Sequence, residues 1–371
     1  MSAIKKTILV GGTPFFREKV DGIGRFSSQV LATLCLRHPE WRFIVIGFQD
    51  EYQWRGQLTL RSNLETSWLP FSRASYKARS LVASRAVDRY LAIQPDIYLA
   101  LDFSFTPLLK SPKKALVIHD LAFCDLPQTV ARSNRLYLKR AVPRSLLQAD
   151  VVASVSEFTQ ARLRHYYPKQ LQKKEQMLIP NGVDERFFSE VDESSRAKLR
   201  TRYRLPERFL LAVGTLEPRK NLSYLLQAFA LLPEQQQRDC PLVLVGKAGW
   251  GEDVISISSN VHFTGYVEDE DLPALYHLAD AFVFPSMYEG FGIPVLEAMA
   301  AGIGVLSTDI SPVREFAEDT ICYVPLDDPQ AFAQALTVRS TSQQIEKARN
   351  RARAYSWQHS IRQLEQWIES A

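Results

Sequence analysis

The chain has 371 residues, of which 46% are hydrophobic and 23% are charged. This length and composition predict two globular domains, each large enough to bury its own core. The cysteines Cys35, Cys124, Cys240 and Cys322 are widely spaced and have no histidine at ligand spacing, which argues against a disulfide framework and a zinc site. This use of cysteine indicates a reducing, cytoplasmic location. No run approaches 18 apolar residues, so we expect neither a transmembrane helix nor a signal peptide.

The net charge of +4 is unevenly distributed. Residues 1–190 carry 28 Lys and Arg against 17 Asp and Glu, whereas residues 191–371 carry 17 against 24. A basic half can serve nucleic acid, an anionic membrane or an anionic substrate. No RNP-like strand, zinc finger or basic-region zipper is present, so we expect no nucleic-acid partner. We favour peripheral contact with the anionic inner leaflet, or a lipid diphosphate acceptor; a solvated surface without a partner is the alternative.

Apolar strands, polar loops and helices alternate through the N-terminal half, which is the order of a doubly wound α/β domain. Strands are predicted at residues 6–12, 42–48, 96–101, 114–120, 150–156 and 176–179, and helices at 25–36, 72–93 and 133–148. The stretch 72–93 is basic and could contact a membrane. A linker is predicted in the polar stretch 185–204.

Two positions in this half could carry chemistry. Gly22 and Gly24 lie in the predicted loop 17–24 and form only Gly-x-Gly, so a phosphate loop and a plain tight turn both fit. His119 and Asp120 end the predicted strand 114–120, and catalytic groups of open α/β sheets lie at the carboxyl ends of strands. A lone histidine is otherwise more often structural.

The C-terminal half begins the same pattern again, with a strand at 208–214, a polar loop at 215–221 and a helix at 222–232. Arg219 and Lys220 lie just before that helix, where cations oppose the helix dipole unless an anion comes between. Arginine can grip phosphate oxygens through its fork and lysine as a point charge. Glu217 is interpreted as an orienting partner of these cations.

A strand at 281–285 is followed by a glycine-rich loop and a helix. Pro294 suits the first helical position and Gly302 the C-terminal stop. Free backbone N–H groups beside such a loop form an anion site. Glu289 precedes the helix and Glu297 is predicted in its first turn, and both would repel a phosphate unless they bind hydroxyls. A nucleotide sugar, which carries a diphosphate and many hydroxyls, fits both demands; a surface acid and a helix-dipole partner are the alternative interpretation.

Two motifs resemble a known family. Glu289-x7-Glu297, with Gly-Phe-Gly-Ile-Pro-Val-Leu between, resembles the signature of the retaining family-4 glycosyltransferases of the GT-B fold. Residues 213–222 (Val-Gly-Thr-Leu-Glu-Pro-Arg-Lys-Asn-Leu) are similar to a second signature of that family. The resemblance implies two Rossmann-like α/β domains facing a central cleft. These are an acceptor-side domain at 1–190 and a nucleotide-sugar domain at 191–354, with a helix at 355–371 that packs back on the first domain.

The resemblance also implies roles for individual residues. The catalytic group comprises His119 and Glu289 for sugar hydroxyls, and Arg219 and Lys220 for the diphosphate. The donor-binding positions are Gly22, Gly24, Gly214, Lys247, Tyr266, Val267, Gly290, Phe291, Gly292 and Glu297, of which Tyr266 and Val267 hold the base and Glu297 the ribose. Asp120 and Glu217 are supporting residues.

No cofactor and no metal are expected. Residues 269–271 (Asp-Glu-Asp) formally fit a metal-binding D-x-D pattern, but they precede a predicted helix at 272–278. Acids capping that helix are therefore the better interpretation. The family generally needs no metal.

Residues 217–221 (Glu-Pro-Arg-Lys-Asn) look most like mannosyltransferases of bacterial polysaccharide or O-antigen assembly. The resemblance therefore implies transfer of mannose from GDP-mannose to a saccharide or lipid-diphosphate-linked acceptor, with retained configuration. A UDP-glucose, UDP-galactose or UDP-N-acetylglucosamine donor is the alternative with the same site. A GT-B epimerase is disfavoured because it would not share both signatures, and a noncatalytic nucleotide-sugar-binding partner is the alternative of another class.

Overall fold

The computed structural model describes residues 4–16, 21–51, 61–72, 74–75, 90–91, 94–104, 113–246 and 259–371. Most of the basic stretch predicted at 72–93, and Lys247, lie outside the described residues. The chain forms two compact units. One contains Met1–Leu121, Arg132–Asn181 and Trp357–Ala371, and the other contains Ala122–Ala131 and Gly182–Ser356.

The first unit is built on a seven-stranded sheet of order β3-β2-β1-β4-β5-β6-β7. Its strands are β1 (Lys6–Val10), β2 (Trp41–Phe48), β3 (Leu64–Leu69), β4 (Ile97–Ala100), β5 (Lys113–Ile118), β6 (Val151–Ser154) and β7 (Glu175–Leu178). Every pairing is parallel. The central strands are almost fully buried, as expected for a parallel sheet covered on both faces.

The second unit has a six-stranded parallel sheet of order β10-β9-β8-β11-β12-β13. Its strands are β8 (Leu210–Val213), β9 (Leu242–Val245), β10 (Val261–Gly265), β11 (Ala281–Phe284), β12 (Gly304–Thr308) and β13 (Cys322–Val324). Leu225, Phe229 and Phe332 pack with the strand side chains into one hydrophobic core. The predicted α/β class with two Rossmann-like domains is confirmed.

Helices connect these strands. In the described residues they are α1 (Gly22–Arg37), α2 (Ala122–Asp125), α3 (Arg132–Gln148), α4 (Glu157–Tyr166), α5 (Pro168–Leu171), α6 (Glu193–Tyr203), α7 (Leu222–Ala230), α8 (Glu234–Asp239), α9 (Leu272–Leu278), α10 (Ile293–Ala301), α11 (Ser311–Ala317), α12 (Pro329–Thr337), α13 (Ser342–Ala352), α14 (Trp357–Ser360) and α15 (Arg362–Ser370). None of them is long and apolar enough to cross a membrane.

The linker predicted at 185–204 is wrong. A 3₁₀ turn at Glu185–Phe188 buries Phe187, and helix α6 fills most of the remainder. The Asp192 carboxylate caps α6 by accepting from the Ser195 backbone N–H at 2.9 Å. The polar composition of this stretch reflects a solvated helix with good caps.

The C-terminal segment forms the two short helices α14 and α15, which belong to the first unit. Glu365 accepts a hydrogen bond from Arg37 Nε at 2.5 Å, and Gln363 Oε1 accepts from the Leu178 backbone N–H at 3.2 Å. The Trp357 and Phe26 rings meet edge to face with centroids 5.8 Å apart. The last residues of the chain therefore complete the fold of its first residues.

Each sheet has one point at which the strand order reverses. In the first unit this switch lies between β1 and β4, and in the second between β8 and β11. The loops that leave the carboxyl ends of such strands diverge, and the crevice between them is where open α/β sheets bind ligands. In the second unit the two loops are residues 214–221 and 285–292.

Candidate functional site

The two loops at the switch point of the second unit are joined through their backbones. The Met287 N–H donates to the Arg219 carbonyl at 2.9 Å, and Arg219 Nη1 donates to the Tyr288 carbonyl at 3.3 Å. A 3₁₀ turn at Pro218–Lys220 presents both predicted cations to the crevice. These contacts fix the register between the loop that carries Arg219 and Lys220 and the loop that carries Glu289.

Glycine at the ends of β8 and β9 allows the backbones of these two strand ends to lie close together. A Cβ at Gly246 would lie 1.9 Å from the Gly214 carbonyl oxygen. A Cβ at Gly214 would lie 3.4 Å from Lys220 Cε, at the tight end of ordinary contact. The aliphatic part of Lys220 thus lies against Gly214, and its Nζ lies 5.2 Å from the centre of the Phe284 ring.

Glu289 is held by both cations. Its Oε2 accepts from Arg219 Nη1 at 2.7 Å and its Oε1 from Lys220 Nζ at 2.6 Å. Glu217 Oε2 accepts from Arg219 Nε at 3.1 Å. The Glu289 and Lys220 side chains are only 9% and 13% exposed. The site is thus a compact group of two carboxylates and two cations, the Glu217–Arg219–Lys220–Glu289 cluster.

The environment holds Glu289 in its ionised form. Burial by itself would raise the pKa of Glu289, but Arg219 and Lys220 outweigh that effect and hold it at about 2. Burial lowers the pKa of Lys220 below its ordinary value, and the adjacent Glu289 opposes this shift. Charge-assisted hydrogen bonds of this kind are about twice as strong as neutral ones.

Helix α10 begins at the end of the Glu289 loop. Gly292 caps it with φ of 114°, a conformation that favours glycine, and a Cβ there would lie 2.9 Å from Val313 Cγ2. Pro294 is the second helical residue and not the first, and Gly302 ends the helix as predicted. Phe291 is buried and stacks on Phe316 with ring centroids 4.7 Å apart, so only its backbone is available to a ligand.

Glu297 lies deeper in α10 than predicted. It is the fifth residue of the helix, one position beyond the predicted place at the end of the first turn, because the helix begins at Ile293. Its residue exposure is 3%, and its Oε2 accepts from the Tyr276 hydroxyl at 3.0 Å. Tyr276 was not predicted as a site residue, since within the apolar run of α9 it looks like any core aromatic.

The loop after β10 contains the positions predicted to hold the base. Tyr266 is half-buried, whereas Val267 is buried and offers its backbone. The capping role predicted for the acids at 269–271 is wrong for Asp271, which makes no side-chain cap bond. Its carboxylate instead accepts from Arg202 Nη1 and the Tyr203 hydroxyl, both at 2.8 Å. Among the described residues no group of side chains forms a metal site.

In the first unit His119 follows β5 and lies against the start of α1. Its Nε2 is 2.8 Å from the Leu101 carbonyl, and because a carbonyl only accepts, Nε2 carries the proton. Burial lowers the pKa of His119, while the Leu101 bond, Asp120 and Asp21 oppose the shift. The imidazole is therefore neutral near pH 7, and its Nδ1 is an acceptor.

Gly22 and Gly24 are the first and third residues of α1, and not part of a loop as predicted. The Gly24 N–H donates to the Asp21 carboxylate at 2.9 Å, which explains why the helix begins early. A Cβ at Gly22 would meet nothing within 4 Å. The Phe26 ring on the same helix meets His119 edge to face at 4.8 Å. The start of α1 and His119 thus form one surface of the first unit.

Two further residues, which sequence reasoning missed, border the cluster. Tyr288 donates through its hydroxyl to Asp125 Oδ2 at 2.9 Å, and Asp125 lies on α2, which belongs to the second unit. Ser286 is fully buried and lines a small pocket with Gly214 and Lys220. Neither residue carries a pattern in the sequence that would single it out.

The second α/β unit thus gathers two cations and two carboxylates at the switch point of its parallel sheet. A family model described as "Glycosyl transferases group 1" matches residues 195–357. The chain is 35% identical over 308 residues to the GDP-mannose-dependent alpha-(1-6)-phosphatidylinositol monomannoside mannosyltransferase of Mycobacterium tuberculosis (strain CDC 1551 / Oshkosh), covering 77% of this chain and 74% of that protein. It is 28% identical over 306 residues to the O-antigen chain mannosyltransferase B of Escherichia coli, covering 78% and 77%.

Sucrose-phosphate synthase from Thermosynechococcus elongatus has a similar fold, with a TM-score of 0.77 over 99% of both chains and 21% identity. The chain belongs to the group 1 glycosyltransferases and has the GT-B fold. The predicted family and the prediction of a glycosyltransferase are therefore confirmed. A nucleotide-sugar donor and a saccharide acceptor, the coarse form of the predicted partners, follow from this membership.

Proposed function

We propose that this protein transfers mannose from GDP-mannose to a saccharide or lipid-linked saccharide acceptor, with retained configuration. The observation that supports this most directly is Glu289 shared between Arg219 and Lys220 at the switch point beside α10. The donor is inferred from relatives named as mannosyltransferases, one of them as GDP-mannose-dependent.

Binding of the donor rearranges the cluster. The guanidinium fork of Arg219 and the ammonium group of Lys220 bind the diphosphate oxygens. Glu289, released from part of its pairing, accepts hydrogen bonds from sugar hydroxyls. As the glycosidic bond breaks, negative charge grows on the departing diphosphate, and the two cations together with the N–H groups at 290–292 stabilise it. Loss of one such donor costs on the order of 3 kcal/mol in the activation free energy.

Other residues orient the remaining parts of the two substrates. Glu297 accepts from the ribose hydroxyls, and the backbone at Tyr266 and Val267 holds the base. Nδ1 of His119 accepts a hydrogen bond from a sugar hydroxyl, because the Nε2–H already donates to the Leu101 carbonyl. Gly22 offers an open backbone at the start of α1.

Glu289 is a poor nucleophile in this mechanism. Its carboxylate pairs with two cations and, in the donor complex, with sugar hydroxyls, and its low pKa makes it a weak base. The acceptor attacks from the face that the diphosphate leaves, and the departing phosphate takes the acceptor's proton. Isolation of a glycosyl-Glu289 adduct would overturn this step.

The donor is tested by thermal stabilisation with GDP, UDP and ADP, each alone and as its sugar conjugate. A ligand at 100 times its Kd adds about 2.7 kcal/mol to the free energy of unfolding. We expect stabilisation by GDP and GDP-mannose, and mass spectrometry of a saccharide acceptor should show added hexose. Stabilisation by UDP and its conjugates alone would support a glycosyltransferase that uses one of the alternative UDP-sugar donors. The absence of stabilisation by any of these ligands would contradict the proposed nucleotide-sugar site.

A second proposal concerns the membrane, and it rests on α3. This helix carries five Lys and Arg and no acidic residue. Four of them form no ion pair with the described residues: Arg132, Lys139, Arg140 and Arg144. Leu136 and Leu147 on the same helix are 47% and 62% exposed. A basic helix with exposed leucines suits peripheral contact with an anionic bilayer, at about 1 kcal/mol per cation near the surface.

Flotation with vesicles tests this contact. The wild-type protein should float with vesicles of anionic phosphatidylglycerol and not with phosphatidylcholine, and added salt should weaken the association. Lys139→Glu with Arg140→Glu should abolish it. Arg238→Glu with Lys347→Glu changes the same charge on exposed helices of the second unit and serves as the control. Equal loss in both pairs would show a net-charge effect and contradict a contact through α3.

A further inference from the structure

The carboxylate of Glu297 is buried, and the structure shows what holds it. The Tyr276 hydroxyl lies 3.0 Å from Glu297 Oε2. The phenol is the donor and the carboxylate oxygen the acceptor. The last torsion of a glutamate has a broad energy minimum, so the orientation of its carboxylate is set by its hydrogen-bond partners.

The ring of Tyr276 is itself fixed. It is fully buried on α9, with Phe187 edge to face at 5.8 Å and Phe282 at 5.4 Å between ring centroids. Phe282 lies in β11, the strand that leads into the Glu289 loop. A ring clamped on two sides keeps its hydroxyl at one place, and Glu297 therefore has one preferred carboxylate orientation.

We propose that Tyr276 is a positioning residue for the ribose subsite. It does not touch the donor; its O–H holds the Glu297 carboxylate in the orientation that accepts from the ribose hydroxyls. This inference rests on the proposed role of Glu297 in donor binding.

The test compares ligands with and without the ribose hydroxyls. Calorimetric titration with GDP and 2′,3′-dideoxy-GDP, and with UDP and 2′,3′-dideoxy-UDP as a second pair, gives the preference for the hydroxyls as a ratio of Kd values. In the wild type the hydroxylated member should bind more tightly. Tyr276→Phe should reduce this ratio about fivefold and leave the Kd of the dideoxy ligand unchanged. Glu297→Gln should reduce the ratio at least as far.

Tyr224→Phe is the matched control. Tyr224 is also a buried tyrosine of the second unit, its hydroxyl donates to the Pro325 carbonyl at 3.0 Å, and its ring stacks on Phe332. This variant should keep the wild-type ratio, because the hydrogen bond that it removes is made to the Pro325 carbonyl and not to Glu297.

The outcomes separate the two levels of the account. Tyr276→Phe could keep the wild-type preference for the ribose hydroxyls while Glu297→Gln loses it. That result would overturn the positioning role of Tyr276 and leave the proposed function standing. Equal weakening of both ligands in Tyr276→Phe would also overturn it, since that is the effect of a purely structural bond. A wild type without preference for the hydroxyls would remove both the Glu297 role and the inference that depends on it.

Discussion

Glu289 and the diphosphate of a donor compete for the same two cations. Arg219 and Lys220 both donate to Glu289, at 2.7 Å and 2.6 Å. The charge that prepares Glu289 to accept sugar hydroxyls therefore also weakens binding of a nucleotide that has no sugar. This competition gives the carboxylate two effects that can be separated experimentally.

Glu289→Gln should bind GDP more tightly and transfer sugar more slowly. Removing the negative charge frees both cations for the diphosphate, which should lower the Kd for GDP about fivefold, or roughly 1 kcal/mol. Replacing the charged carboxylate by an amide, which has one acceptor oxygen and no charge, should slow transfer about 100-fold. Calorimetry and a transfer assay measure the two effects. Glu217→Gln, which leaves the Glu289 pairing intact, should change both far less, and weaker GDP binding in Glu289→Gln would contradict the competition.

The ion pairing should also appear in the pH dependence of stability. The pKa of Glu289 falls from the ordinary 4.5 to about 2 in the folded protein, so its charged form is favoured by folding. Its contribution, on the order of 3 kcal/mol, is fully present above pH 4.5 and is lost as the pH falls toward 2. Thermal unfolding between pH 3 and 7 should show a smaller loss of Tm on acidification in Glu289→Gln than in the wild type. Parallel curves for the two proteins would contradict the low pKa.

At the scale of elements, the start of α10 is the part of the site that depends most on backbone conformation. Gly292 has φ of 114° and its missing Cβ would meet Val313. Gly292→Ala should therefore cost about 1–3 kcal/mol of unfolding free energy, since alanine is strained there. It should also weaken binding of GDP, because the N–H groups at 290–292 shift with the loop.

Gly22→Ala provides the contrast at the start of α1. A Cβ there has open space and lies at a helical position, so the unfolding free energy should change by less than about 0.5 kcal/mol. Urea denaturation of both variants measures the difference. Equal stability of the two variants would show that the positive φ at Gly292 can relax.

Strongly apolar elements could be predicted from the sequence, and half-exposed ones could not. Strand β11 and the end of α10 at Gly302 are marked by local composition, and both lie where they were predicted. Strand β3 was missed because Glu65, Thr66 and Ser67 in its middle give an edge strand no apolar run. The early start of α1 depends on one capping bond from Asp21, which shifts a boundary without changing the composition.

The site itself was predictable only as far as charge and motif reach. Arg219, Lys220 and Glu289 could be proposed from their residue types and places along the chain, but their direct pairing could not, because they are separated by about 70 residues. Tyr276 lay beyond prediction since its role depends on a tertiary hydrogen bond to Glu297. Resemblance to a family predicts which residues form the site, and the structure shows which residues they pair with.

At the scale of the whole molecule, the chain passes between its two units four times, and the last passage returns residues 357–371 to the first unit. Ile361, Leu364 and Ile368 are fully buried there. Leu364→Ala should destabilise the protein by about 2–5 kcal/mol, as expected for a large-to-small change in a core. Val338→Ala, at a side chain 66% exposed, should stay within about 0.5 kcal/mol of the wild type. Thermal denaturation that fails to separate these variants would contradict the structural role of the C-terminal segment.

The central claim is that Arg219 and Lys220 bind the diphosphate of a nucleotide-sugar donor, and calorimetric titration of GDP-mannose tests it most directly. The wild type should bind, and Arg219→Ala should bind about 100-fold more weakly, because a charge-assisted bidentate contact is lost. Arg238→Ala, which removes an exposed arginine of α8 paired with Glu234, should bind as the wild type does. Equal affinity of the wild type and Arg219→Ala for GDP-mannose would contradict the account.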